Sequence, residues 1–527
     1  LCDIIDFPDM GGAPETLDTT TLSDNMKTSI LGIQENESKT FNANYDEKTF
    51  AMLSAFKPDT DYKFALAMGA NGEHGVWTWT GRLSAYVTGG GVVPVSDYVQ
   101  YMPNYSTFVE EYNMQDDLAT ITQADGKYYR LPGLKETSLQ DYTFLIRKDI
   151  FDAAGYDVTE LEKDWTWDEF ADVLIGVKQY MVEQGMCGEN DYIWSDMWCG
   201  QTSGYGQGGN LLKLLGASYD INTGWAITTN YGLVYDPNSD SFVDGSVSDN
   251  YKQAYTVLQK LVQNKVLDPE TWTQDDDTAL NKFYRGETAI MSTNRAQYAV
   301  QDAKVKEQLG EGNYELYRTL VPIGTSDYQA ENQRLECGIM ISSNALKELG
   351  EDEFIKMMRF VDWLWYSDEG LTLTKWGKEG ETYTVTDGTY SLAPGYYCNG
   401  LSIAQTSDDQ IDLREELGYA CGNFMYSGNT ELLTSNFTED LRDFYDRQGQ
   451  YRKLRPLDPT VTFDEDQMEM LNLWGTPMTD TVNAWTCKFA MNQADINNDW
   501  DTYVAEVEAQ NMQNIVDMYN DTYNASK

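Results

Sequence analysis

Ala124-Asp125-Gly126-Lys127-Tyr128-Tyr129-Arg130-Leu131-Pro132 and, soon after it, Asp141-Tyr142-Thr143-Phe144-Leu145-Ile146-Arg147-Lys148-Asp149-Ile150-Phe151-Asp152-Ala153-Ala154-Gly155 set the fold class of this chain. An Asp-Gly pair flanked by tyrosines predicts a hairpin. Asp141 to Arg147 is rich in β-prone residues and predicts a strand. Lys148 to Gly155 predicts a short helix closed by its glycine. Downstream, Thr166-Trp167-Asp168-Glu169-Phe170 carries a capping box, with Thr166 at the N-cap and Glu169 three residues on. Phe170, Leu174, Val177 and Met181 continue it at helical spacing. Further helices are predicted at Leu211 to Leu215, Ser248 to Asn264, Asp277 to Tyr284, Asp352 to Tyr366 and from about Asn498 to Tyr523. The 352–366 helix is apolar almost all round and is expected to be well buried. Thr288 to Met291, Leu316 to Pro322 and Gly338 to Ile341 predict strands. The alternation predicts an α/β chain with mainly parallel sheets.

Upstream, Gly75-Val76-Trp77-Thr78-Trp79-Thr80-Gly81-Arg82 precedes a short helix-like segment, the triplet Gly89-Gly90-Gly91 and a strand-like run to Val95. Residues two apart on an extended chain share a face, so Trp77 and Trp79 can form one aromatic wall. Leu1 to Phe7 predicts a first buried strand, with a turn at Pro8 to Gly12. Residues 13–48 are polar and weakly periodic.

The totals narrow the function classes. With 37 Lys and Arg against 85 Asp and Glu, the net charge of −48 makes nucleic acid a very poor partner and disfavours anionic ligands. A neutral ligand fits best. The aromatic share of 13% suits a surface that holds flat apolar faces, sugars included. The single histidine, His74, excludes multi-histidine metal sites and most histidine-based catalysis. The seven cysteines show neither a CxxC pair nor a regular spacing. No apolar run reaches the length of a membrane span. The glycines at 204–209 lack the Lys-Ser/Thr of a phosphate loop. No cofactor is implied. The chain opens on Leu1 and reads as a processed or trimmed product whose targeting segment is absent. Leu1 ahead of Cys2 is a poor lipid-attachment context.

In this order and spacing the motifs resemble the extracellular solute-binding proteins of carbohydrate ABC importers (family 1), in particular the long Gram-positive type that takes oligosaccharides. The resemblance rests on Ala124–Pro132, Phe144–Gly155, Trp165–Phe170, Gly286-Glu287-Thr288-Ala289-Ile290-Met291, Asp362–Gly370, Trp376-Gly377-Lys378-Glu379-Gly380-Glu381-Thr382-Tyr383 and Asp499–Val504. It implies a two-lobed periplasmic-binding-protein-like fold of type II, with the ligand cleft between lobes that close by hinge motion. Lobe one is expected at 1–143 and 342–390, and lobe two at 147–338 and 415–527. The hinge or crossing segments are expected at 144–146, 339–341 and 391–414. The implied role is an extracellular, monomeric, non-enzymatic receptor, lipid-anchored in its full-length precursor, that captures a neutral oligosaccharide for the permease subunits of an ABC importer. A glycoside hydrolase or a surface glycan adhesin is the alternative.

A sugar ring offers an apolar C–H face and a polar rim, which aromatic and carboxylate, amide or guanidinium side chains match. Trp77, Trp79 and Arg82 fall where the family has its first-lobe ligand loop, and Asp9 and Met10 lie in the turn after the first strand. Trp194, Trp198, Tyr205 and Trp225 fall in second-lobe loops. Asn294 and Arg295 follow the 288–291 strand. Glu379, Tyr383, Tyr396 and Tyr397 come from the late crossing region. Trp165, Trp167 and Trp363 are expected in packing. Relatives of the long type often carry a calcium loop after the capping-box helix. Here Met186-Cys187-Gly188-Glu189-Asn190-Asp191 lacks the alternating oxygen ligands, and no metal is expected. The acidic run at 495–501 reads as a helix N-cap.

Overall fold

The computed structural model describes residues 86–87, 89–200, 209–224, 227–331, 333–386, 388–421 and 423–527. It also gives the backbone of five earlier strands, Ile4–Asp6, Thr16–Asp18, Ser29–Leu31, Asn42–Ala43 and Gly75–Trp77. Residues 1–75 and 76–527 are separate compact units. In the first, Ile4–Asp6 pairs antiparallel with Asn42–Ala43, and Thr16–Asp18 with Ser29–Leu31.

Within residues 76–527 the buried side chains fall into two large cores. One gathers Val93, Met102, Tyr105, Leu131, Ile339, Phe354, Trp376, Leu401 and Phe424. The other gathers Phe144, Trp167, Phe170, Trp194, Leu211, Trp272, Phe489 and Ile515. The first is built on a sheet ordered Gly75–Trp77, Leu335–Ile341, Leu131–Leu134. The second is built on a sheet ordered Ile290–Thr293, Thr143–Arg147, Leu316–Thr319, with antiparallel pairing throughout. Antiparallel pairing therefore replaces the parallel sheets expected from the alternation. Each sheet is assembled from strands far apart in sequence, so local strand–helix alternation does not fix their direction.

The capping-box helix forms as Trp167–Glu183. Thr166 receives the amide of Glu169, and the Glu169 carboxylate receives the Thr166 amide at 2.8 Å. Its periodic residues Phe170, Leu174, Val177 and Met181 are fully buried. Asp249–Gln263 and Asp276–Tyr284 form as expected. The Asp-Gly stretch makes a tight turn, with Gly126 at φ +78 and the Gln123 amide on the Lys127 carbonyl at 2.8 Å, but its arms are not strands paired in a ladder. Leu131–Leu134 pairs with Leu335–Ile341 instead. Helix Glu351–Tyr366 is not buried all round: Phe360 is 57% exposed. Its buried Asp362 accepts the amides of Asn104 and Tyr105, holding the start of the helix Pro103–Glu111. The last helix is two, Trp500–Glu508 and Met512–Ala525, broken at left-handed Asn511. Asp499 caps nothing through its side chain; its carboxylate receives the Asp495 amide within a turn.

The chain leaves the first core after Leu134 and joins the second at Phe144. It returns between Val321 and Leu335. It leaves again after Leu432 toward the helix Glu439–Tyr451, whose Arg447 pairs with the buried Glu162 on the second-core side. These passages are tied together. Ser138 donates to the Gln333 carbonyl and receives its amide at 3.0 Å, the Glu136 amide reaches the Gly428 carbonyl at 3.1 Å, and Gln448 donates to the Gln140 carbonyl at 2.9 Å. Residues 144–146 and 339–341, expected at crossings, lie inside the strands Thr143–Arg147 and Leu335–Ile341. Residues 398–432, which include parts expected in a crossing and in lobe two, pack in the first core. Runs such as Phe144-Leu145-Ile146 are wholly buried and ladder-bonded.

Candidate functional site at the edge of the second sheet

The two antiparallel pairings bring three threonines to one edge of the second sheet. Thr293 lies opposite Thr143, and Thr319 opposite Phe144. The Thr143 hydroxyl donates to the Thr319 carbonyl, and that of Thr293 to Gln301 at 2.6 Å. The chain entering or leaving at this edge supplies Asp141 and Tyr142 before one strand and Asn294 and Arg295 after another. It is also where the first passage between the cores arrives.

Asn294 caps the helix Arg295–Leu309 by receiving the Gln297 amide at 2.9 Å, and remains half-buried. Arg295 is 6% exposed. Its amide and its Nε both donate to Asp141, at 3.1 and 3.3 Å. Its guanidinium lies 5.2 Å from the Tyr426 ring centre and 5.0 Å from that of Phe437. Ser402 donates to its carbonyl at 3.3 Å. Arg295, at the end of a second-sheet strand, thus touches Asp141 in one passage, Phe437 in another, and Tyr426 and Ser402 on the side of the first core. Burial works against its charge, but Tyr445 and Asp141 beside it more than offset this and hold its pKa above the usual arginine value. Burial likewise lifts Tyr426 to about 12. Lys375, fully buried, is held well below the usual lysine value by burial and by Arg295, and donates to the Leu432 carbonyl at 2.6 Å.

Trp194 and Trp198 lie four residues apart in different settings. Trp194 is fully buried, 5.0 Å edge-on to Phe144, and its packed ring offers no face to a ligand. Trp198 has a left-handed backbone, φ 63, held where its amide meets Asp276 at 2.6 Å. Its ring lies 5.6 Å from that of Tyr142, over which Lys213 also sits at 5.6 Å. Between the tryptophans, buried Asp196 receives the amide and hydroxyl of Ser292 at 2.6 and 2.7 Å and the Met197 amide at 3.0 Å. Burial pushes its carboxyl up to about 7 against the pull of those bonds. Asp196 thereby fixes the end of the strand that delivers Asn294 and Arg295.

The late residues spread out. Tyr383 is buried, stacked on Tyr390 and packed against Trp376 in the first core. Glu379 is exposed at the adjacent turn. Tyr396–Tyr397 forms a half-buried strand parallel to Ile411–Asp412. Asp9, Met10, Trp79, Arg82, Tyr205 and Trp225 lie outside the described residues, and Trp77 is described only as backbone. Asp141, Tyr142 and Lys213 carry no signal in the sequence that singles them out. The first two precede a strand in plain view, and their place at the edge depends on which strands pair with it. Among the described residues no group of His, Cys, Asp or Glu is arranged to hold a metal ion. A shallow groove of about 280 Å³ lies elsewhere, between Trp474 and the Asp517–Asp521 turn of the last helix.

A family profile described as bacterial extracellular solute-binding protein matches residues 38–357. Among solved structures, this chain is similar to the alginate-binding protein AlgQ2 without calcium ion (TM-score 0.58, 13% identity, 84% of this chain and 83% of that one). It is also similar to an HMO-binding ABC-transporter-associated solute-binding protein of Bifidobacterium longum infantis (0.55, 18%, 83% and 84%). A third is an EF-hand mutant of the S. pneumoniae ABC-transporter substrate-binding protein FusA in complex with fructo-nystose (0.56, 18%, 86% and 88%). These likenesses show the two-lobed solute-binding fold. No curated protein matches the sequence.

Proposed function

We propose that this chain, which belongs to the bacterial extracellular solute-binding protein family, captures a neutral oligosaccharide between its two cores and hands it to the permease of an ABC importer. The observation that carries this reading is the edge of the second sheet. Aromatic and amide side chains gather there, where the chain crosses from one core to the other. Similar folds are named as binders of alginate, of HMO and of fructo-nystose, which supports a glycan as the ligand class. Neutrality is supported by the charge of −48, since an anionic chain would approach against that field.

One lobe comprises the first core, up to Leu134 and from Leu335 to Leu433, and the other spans 144–321 and 439–527. The ligand set comprises Tyr142, Trp198, Asn294, Tyr396 and Tyr397 together with Trp77, Trp79, Arg82, Asp9, Met10, Tyr205 and Trp225. Arg295 acts as a positioning residue, and Trp194 and Tyr383 as packing. The protein works at the cell surface, lipid-anchored in its precursor, without turnover. Among the described residues no helix is long and apolar enough to cross a membrane.

Calorimetric titration with neutral oligosaccharides, with alginate oligomers as the anionic arm, tests this. Binding of a neutral glycan at about 1 μM or tighter, on the order of 8 kcal/mol, with the glycan recovered intact, is expected. Cleaved product would make it a hydrolase, and preference for the anionic arm would remove the neutrality argument.

A further inference from the structure

The loop after the capping-box helix is closed around a lysine. Lys178 projects from Trp167–Glu183 and is 5% exposed. Its ammonium has three N–H donors, and three acceptors from the loop surround it. They are the Gly188 carbonyl at 2.8 Å, the Asp191 carbonyl, and the Cys187 sulfur at 3.4 Å. The loop is also tied to itself. The Asp191 carboxylate receives the Gly188 amide at 2.7 Å, and the Gly188 carbonyl receives the Asp191 amide at 3.2 Å. Gly188, Glu189, Asn190 and Asp191 are all exposed, so no apolar burial holds these residues in place. The carbonyls converge on the ammonium, and the loop closes over it.

The segment just beyond the loop is bound tightly into the second core. The amides of Ile193 and Trp194 both reach the Val266 carbonyl, at 3.1 and 2.9 Å, and Trp194 bridges to Leu267 and Ile290. Two residues further on, Asp196 grips Ser292. The loop therefore leads directly into the segment that fixes the end of Ile290–Thr293.

We propose that the Lys178 ammonium is the resident cation of the 187–191 loop. Converging backbone carbonyls are the kind of oxygen site that takes a hard cation; here the chain supplies the charge itself, and the loop and the segment it delivers are ordered without any bound metal. This goes beyond the glycan-capture reading and stands independently of it.

Chemical rescue distinguishes a cation from a mere filler. Lys178→Ala removes the ammonium and leaves space that propylammonium fits. Hydrogen exchange at residues 187–194 is expected to quicken about tenfold or more, with a fall in melting temperature. Propylammonium chloride should restore both, whereas propanol and sodium chloride at equal strength should not. If Lys178→Ala does not fold, Lys178→Met, which keeps the stem and loses the charge, gives the same readout. On the parent protein, neither a chelator nor added calcium should alter the melting temperature or the exchange of 187–194. Unchanged exchange in Lys178→Met, equal rescue by propanol, or a calcium-dependent shift in the parent would each overturn the proposal.

Discussion

The centre of the second core and the cluster around Arg295 are both buried, yet they are built from opposite materials. In the core, Trp194, Phe144, Phe170 and Trp167 meet ring to ring, with centres 5.0 to 6.4 Å apart. At the junction of the passages, the Arg295 guanidinium lies with a carboxylate and three aromatic side chains, and a serine hydroxyl donates to the backbone carbonyl of the same residue. Burying carbon stabilises in proportion to area. Burying a charge costs desolvation that a partner must offset. The first arrangement is what a lobe needs to hold its shape. The second lies at the end of the second sheet where the passages join, and there the partners around the charge more than offset its desolvation.

The largest effect should come from the core. Trp194→Ala removes a fully buried indole and is expected to destabilise by about 3–5 kcal/mol in chemical denaturation, with glycan affinity nearly unchanged in the protein that remains folded. If affinity falls by more than the loss of folded protein explains, Trp194 is not merely packing. Arg295→Met should come next, at about 3 kcal/mol, because Asp141 loses its partner. Unlike the core variant, it should also change affinity. A change in stability alone would reduce the junction to another piece of core.

The Asp196 carboxyl offers a test by pH. Its folded value of about 7 lies above the roughly 3.9 of an unfolded aspartate. Its stabilising contribution is therefore complete below about pH 4 and is lost as pH rises toward 7, by on the order of 2 kcal/mol or more. Stability profiles of the parent and Asp196→Asn should differ by this slope; parallel profiles would remove the assignment. The smallest effect on folding belongs to the proposed platform. Trp77→Ala should weaken glycan binding by about 2 kcal/mol and leave the melting temperature almost where it was. An unfolded variant would place that ring in packing.

The local elements were legible in the sequence because their causes are local. Thr166 and Glu169 announce a helix start, and Phe170, Leu174, Val177 and Met181 announce its buried face. The partners of each strand were not legible. Nothing near Thr143 says that Thr293 and Thr319 will lie beside it, so the place of Asp141 and Tyr142 could not be read from local pattern. Trp194 and Trp198 look alike in sequence because each is an aromatic beside Ser195-Asp196. Only the pairing of neighbouring strands puts one ring in the second core and the other, also buried, in a smaller cluster beside Tyr142. The family resemblance, carried by ordered motifs along the chain, does not depend on these pairings and holds without them.

The most direct measurement is the distance between the two cores with and without a bound oligosaccharide. Spin labels on unnatural residues at Phe360 and Leu473, both well exposed and one on each core, would report it. Addition of a glycan that binds should shorten the distance while the sugar is recovered unaltered. An unchanged distance with the glycan bound would contradict capture by closure of the two lobes.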